Sequence, residues 1–147
     1  MSTPGIDPRG PRFTASVTVV LVALAILTLA PARPVALVLA AIQTALFALG
    51  ALRGVQSTPT GVVFRRLIRP RLAPPMHLED PAPPRFAQTV GLVFGVAALV
   101  GIVAGLEPLA YVALAFALVA AILNAAFGFC LGCELYLIGK RLTPAAR

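Results

Sequence analysis

The sequence predicts an all-α fold: an integral membrane four-helix bundle made of two parallel-repeat helical hairpins, with a short interfacial amphipathic helix. Three observations carry that expectation. Four long windows hold no charge, the basic residues gather at one end of those windows, and one heptad recurs where each half begins. Of the 147 residues, 59% are hydrophobic and 12% are charged. The charged share is about half that of an ordinary soluble domain, so water is not the main solvent of this chain.

The windows run from Phe13 to Ala32, Pro34 to Leu52, Phe86 to Leu106, and Pro108 to Cys133. About 20 apolar residues, rising 1.5 Å each, cross a hydrocarbon core of roughly 30 Å. Each window therefore suffices for one helix, and none for two. Helices are required because backbone N–H and C=O groups in lipid must be satisfied within their own segment. The expected spans are 13–32, 34–52, 86–106 and 108–128, within a single membrane domain covering 1–147. Met1 to Arg12 is polar and rich in Pro and Gly, which is not the pattern of a cleavable signal peptide.

Arg9 and Arg12 precede the first span. Arg53, Arg65, Arg66, Arg69, Arg71 and Arg85 lie between the second and third, and Lys140, Arg141 and Arg147 follow the fourth. Arg33 stands alone on the other side. The positive-inside rule then predicts a multi-pass protein of the cell membrane with both termini and the middle loop cytoplasmic. The net charge of +7 comes from residues that flank apolar runs. That points to anionic lipid headgroups as partners and away from nucleic acid.

Asp7-Pro-Arg-Gly-Pro-Arg-Phe13 has a counterpart in Asp80-Pro-Ala-Pro-Pro-Arg-Phe86. Pro34 and Pro108 each start the following span, Gly54 and Gly128 each lie near its end, and Phe64-Arg-Arg-Leu67 is matched with Gly139-Lys-Arg-Leu142. The chain reads as one duplicated hairpin. Both copies begin on the same side, so an axis along the membrane normal relates them. Asp and Pro suit a helix start, and the Arg that follows is expected to reach headgroups.

Between the halves, Val63, Phe64, Leu67 and Ile68 share one helical face while Arg65, Arg66 and Arg69 share the other. This predicts a basic amphipathic helix over about 60–70, lying in the interface with its arginines at lipid headgroups. A Pro-rich loop follows over 73–84 and holds His77, read as an exposed loop residue. Glu107 is expected to cap the fourth helix. Gln43, Thr44 and Asn124 fall inside spans, where polar side chains usually bond between helices. Glycines four apart, such as Gly91/Gly95 and Gly128/Gly132, suit a tight bundle or a homo-oligomer seam.

Cys130 and Cys133 are the only cysteines. If the chain turns at Gly128 and restarts as a helix near Cys130, that residue occupies a first turn, where free amides and the helix dipole favour a thiolate. Cys130 is then the nucleophile and Cys133 the resolving thiol of a cytoplasmic-side pair. If the span runs straight through, the two are inert space fillers. A reducing cytosol argues against a standing structural disulfide and for a transient one. No cofactor is expected. A structural metal would need ligands beyond this pair, and His77 is the only usual third.

Taken together, the repeated PRF, VVFRRLIRPRL, LEDPAPPRFAQTVGLVF and NAAFGFCLGCELYLIGKRL resemble the domain-of-unknown-function family 4395, small bacterial membrane proteins. The resemblance spans nearly the whole chain and implies an integral membrane protein. Genes of this family often neighbour genes for thioredoxin-like and sulfurtransferase proteins, an association that would suit a cytoplasmic partner of that kind. The C-terminal motif is faintly similar to the Gly-x-Cys-Pro motif of rhodanese-associated membrane proteins, but Leu131 stands where that motif has proline.

Three functions compete on these residues. The first is a thiol redox or sulfur-relay accessory using Cys130 and Cys133. The second is a non-catalytic scaffold that recruits a partner or anionic lipid through its basic face. The third is a small-solute transporter with a cavity near Gln43 and Asn124. Hydrolase chemistry lacks the His, Asp and Ser cluster it needs.

Overall fold

In the computed structural model, which describes residues 5–143, four helices are long and apolar enough to cross a membrane. They are α1 (Arg9–Leu29), α2 (Arg33–Arg53), α4 (Ala82–Ala104) and α5 (Glu107–Phe127). Two shorter pieces follow the hairpins: α3 (Pro59–Val63) after the first and α6 (Leu131–Leu142) after the second. The long helices mostly start or end at charged or Pro-bearing residues, because Arg side chains at a helix end can extend past the apolar zone.

The two halves are equivalent in three dimensions. Ala25 and Ala98, at matching places in α1 and α4, are both completely buried. So are Ala36 and Ala110, the matching pair in α2 and α5. Leu29 and Ile102 are each 2% exposed. α1 packs on α2 and α5, and α4 packs on α5 and α2. Each hairpin is therefore held as much by the other as by itself. Alanine dominates these seams, and small side chains let helices approach closely enough for dispersion to hold them where lipid removes the hydrophobic drive. Gly101 is a close approach of two backbones: a Cβ there would lie 2.6 Å from the backbone N of Ala110.

The repeated heptad closes the bundle at its basic end. Asp7 accepts the amide of Arg9 at 3.0 Å, and Asp80 accepts that of Ala82 at 2.9 Å. Each carboxylate thus takes up a free N–H at a helix start. Just before them, Ile6 and Glu79 exchange two backbone hydrogen bonds of 2.9 Å in an antiparallel bridge. The arginines of the heptad differ from the sequence expectation, since they turn inward. Arg85 donates to the carbonyls of Ala51 and Leu52 at 2.7 and 2.9 Å, at the end of α2. Arg12 reaches those of Ala125 and Ala126 at 3.4 Å, at the end of α5. Each arginine caps the second helix of the other hairpin, where terminal carbonyls carry negative partial charge. At the opposite end Arg33 donates to the carbonyl of Ile102 in α4.

These caps are unequal in length, so they should be unequal in worth. Arg85→Ala is expected to lower stability by about 1–2 kcal/mol after allowance for solvent exposure. Arg12→Ala should cost less, as judged by thermal unfolding of both variants in the same lipid nanodisc.

Asp7 is buried beneath Arg9, whose guanidinium donates to it at 2.8 and 3.0 Å. That hydrogen bond, more than the coulombic pull of Arg69 at 3.9 Å, holds the Asp7 carboxyl below its ordinary value against the opposing effect of burial.

α3 carries the predicted amphipathic helix. It begins at Pro59, continues as a wider π turn over Phe64–Ile68, and ends as a 3-10 turn at Arg69–Arg71. Pro70 explains the irregularity, because it has no N–H to give and its ring crowds the carbonyl four residues back. Phe64 is buried against Phe13, while Arg65, Arg66 and Arg69 are exposed. Helix α4 begins at Ala82, so the last three residues of the expected Pro-rich loop are helical. Two prolines at positions 83 and 84 fit a first turn, where an N–H would be free in any case. Glu107 opens α5 without capping it by a side-chain hydrogen bond. It sits in the first turn, where its charge favours the helix dipole.

Candidate thiol site

The site is built by the end of α5. Gly128 adopts a left-handed conformation, φ 68°, which only glycine takes at little cost. Its N–H bonds to Asn124 O at 3.0 Å and that of Phe129 to Leu123 O at 3.2 Å, closing the helix in a Schellman turn. The chain extends through Cys130 and restarts as α6 at Leu131. Cys130 is the N-cap: its Sγ accepts the amide of Cys133 at 3.3 Å. The two sulfurs are joined at disulfide distance, with Cα atoms 5.1 Å apart.

α6 is pinned to α4 beneath this pair. Gly132 is buried against Ala87, where a Cβ would fall 2.6 Å from Ala87 Cα. One turn on, Tyr136 meets Phe86 with ring centroids 5.7 Å apart. Glu134 is exposed, and Lys140 and Arg141 close the helix at its negative end.

The first hairpin has the same arrangement without sulfur. Thr58 is the N-cap of α3, and its Oγ1 accepts the amide of Gly61 at 3.1 Å. Phe64 lies on Phe13 as Tyr136 lies on Phe86. The equivalence is therefore Thr58 with Cys130 and Phe64 with Tyr136. The sequence alignment of Phe64-Arg-Arg-Leu67 with Gly139-Lys-Arg-Leu142 is corrected by one helical turn. A 3-10 turn at Val55–Ser57 adds two residues before the first cap and shifts the apparent register. Thr58 is the residue that sequence reasoning missed, although Thr followed by Pro is a recognisable helix start.

A cleft of about 320 Å³ lies between the halves at this end of the bundle and reaches Cys130. It exists because matching positions carry unequal bulk. Phe47 fills the space over Gly91, but the equivalent pair is Ala121 and Thr18. Gln88 packs on Gly50, but the equivalent pair is Ala15 and Asn124. Asn124 lines the cleft, whereas Gln43 is buried and donates to Thr18 Oγ1 at 3.2 Å. In the opposite half of the bundle Leu29, Ala36, Ala40, Ile102 and Ala110 close into a packed cluster. The cleft therefore reaches Asn124 but not Gln43.

Among the described residues no three His, Cys, Asp or Glu side chains come together as a metal site. His77 lies 3.6 Å from Glu79 and is exposed.

No curated protein and no solved structure matches the chain. A family model, the domain of unknown function DUF4395, matches residues 6–141 and so covers both hairpins, α3, and α6 almost to its end. With both halves of the repeat and the cysteine-capped helix inside that match, the chain belongs to the DUF4395 family.

Proposed function

We propose that this is a multi-pass protein of the cell membrane that exchanges electrons through Cys130 and Cys133 with a cytoplasmic dithiol protein of the thioredoxin-like or sulfurtransferase kind. The observation that supports it is the cap: the sulfur that receives an amide hydrogen bond at a helix start belongs to a pair already at disulfide distance. A partner thiolate attacks Cys133 Sγ, a mixed disulfide forms, and the S–S bond to Cys130 breaks. Cys130 departs as a thiolate, stabilised by the Cys133 amide and the dipole of α6. The partner's second thiolate then attacks the mixed disulfide and releases Cys133. The partner ends as a disulfide, and this chain has gained two electrons and, from the medium, two protons. The positive-inside bias supports a cytoplasmic position for the pair and both termini.

The test is a redox titration in nanodiscs, with alkylation of free thiols read by intact mass. Two alkyl groups should appear together, in one two-electron transition, within the range where thioredoxin-like proteins operate, about −270 to −120 mV. A pair that stays oxidised or stays reduced across that range contradicts the reading. A sulfur relay on the same thiols would instead show one extra sulfur on a cysteine after exposure to a persulfide donor.

A second contact accompanies this one. Among the described residues no carboxylate lies within ion-pair distance of Arg65 or Arg66, and both are exposed on the π turn that follows α3. Anionic headgroups suit them. Arg65→Gln with Arg66→Gln should lose anionic lipid that co-purifies with the native chain, and unchanged retention would remove the contact.

A further inference from the structure

The thiol exchange described above does not use the cleft beside Cys130, and its composition says what it suits. Its wall is mostly apolar, and it contains two amide side chains, Gln88 and Asn124. Phe116, Leu131 and Leu135 line it and are 60%, 43% and 48% exposed. Exposed apolar side chains at its edge suit an opening toward lipid. Of the two cysteines, Cys130 lines the cleft. The cleft size falls within the range of about 300–1,000 Å³ usual for small-molecule sites, which are mainly apolar with a few placed polar groups.

We infer that the cleft admits a lipid-soluble quinone from the bilayer, whose ring approaches Cys130 while its carbonyl oxygens accept hydrogen bonds from Gln88 and Asn124. This deepens the thiol-exchange reading and rests on it, by naming what takes the electrons that the cytoplasmic partner delivers. The occupant must be apolar to enter sideways. It must bear hydrogen-bond acceptors to satisfy the two amides, and it must accept two electrons and two protons to match a dithiol. An acyl chain meets only the first condition.

The step balances as follows. The Cys130 thiolate attacks the quinone ring, and the Cys133 thiol then displaces it by bonding to Cys130 Sγ. The S–S bond forms, the two sulfurs lose two electrons, and the quinone leaves as the quinol with those electrons, the proton of Cys133 and one proton from the medium, which Cys130 had released on ionising. Cys133 serves the protein partner, and Cys130 serves the cleft.

The test uses the full chain in nanodiscs, reduced with dithiothreitol, freed of reductant under argon, and mixed with decyl-ubiquinone. Disulfide return is followed by alkylation and intact mass, and quinol formation by absorbance. One quinol should form per disulfide, at a rate that saturates with quinone. Ala121→Phe, which restores the bulk found at the equivalent Phe47, should slow reoxidation at least tenfold, and Asn124→Leu should weaken quinone affinity if the first variant does not fold. A dithiol that reduces normally but is not reoxidised by quinone overturns this inference and leaves the exchange reading standing. Reoxidation that never saturates and is equal in all variants also overturns it, because the quinone would then be reacting without a site. A pair that dithiothreitol cannot reduce overturns both.

Discussion

Mixed with the oxidised native chain, a thioredoxin-like partner that keeps only its attacking cysteine should be found lodged on Cys133. Its thiolate opens the Cys130–Cys133 bond, a new S–S bond joins it to Cys133, and Cys130 leaves as the thiolate, so no outside oxidant is needed. Acid quenching followed by alkylation should hold the adduct as a shifted band without reductant, and peptide mass should place far less of it on Cys130. Cys130→Ser, which has no S–S bond to open, should form no adduct unless an oxidant is added. The asymmetry follows from the cap. The amide of Cys133 and the dipole of α6 both favour negative charge on Cys130 Sγ, which makes it the preferred leaving group. A partner thus attacks Cys133 and expels Cys130. Equal trapping on both cysteines would mean that the hydrogen bond of 3.3 Å to Cys130 Sγ has no chemical consequence. Absence of trapping on either would remove the exchange reading.

Gly132→Leu should release α6 from the bundle while leaving the four long helices assembled. The obstacle to any side chain here is backbone, Ala87 Cα at 2.6 Å from a Cβ, so no rotamer change relieves it. Overpacking of this sort costs about 1–3 kcal/mol or more, a large fraction of what a helix of 12 residues can gain by docking along one face. The expected result is a C-terminal segment cleaved by protease in inverted vesicles at low dose, with helix content of the remaining spans unchanged. The disulfide should also lose its partner selectivity, since a detached α6 no longer presents Cys133 and Cys130 to different surroundings. Gly132→Ala should do the same to a smaller degree. Protection equal to that of the native chain would show that α6 is held by other contacts, the Phe86–Tyr136 pair first among them.

The four spans were legible because charge is so scarce in this chain that it works as punctuation: Arg33 and Glu107 each mark a hairpin turn. The repeat was legible because its heptad has work to do in both copies. What that work is was not legible. A sequence shows that Arg12 and Arg85 begin spans, but not that each will face the carbonyl end of a helix from the other half. The restart of the chain after Gly128 could be inferred from the first copy, yet its register could not, since the extra turn at Val55–Ser57 moves Thr58 away from the place where spacing would put it. The cleft was beyond reach for a further reason. It arises from pairs such as Phe47 with Gly91 and Ala121 with Thr18, whose partnership exists only once α2 meets α4 and α5 meets α1. The exposure of Arg65, Arg66 and Arg69 was legible, because helical phase is local and needs no knowledge of the rest of the fold.

All of the proposed chemistry needs thiols that a protein in the cytosol can touch and a reductant can open. Maleimide labelling of spheroplasts and of inverted vesicles, each with and without prior dithiothreitol, examines both requirements at once. The account predicts labelling of Cys130 and Cys133 in inverted vesicles after reduction, little without it, and none from outside intact spheroplasts with an impermeant reagent. Labelling from outside, or no labelling in inverted vesicles after full reduction, would contradict it.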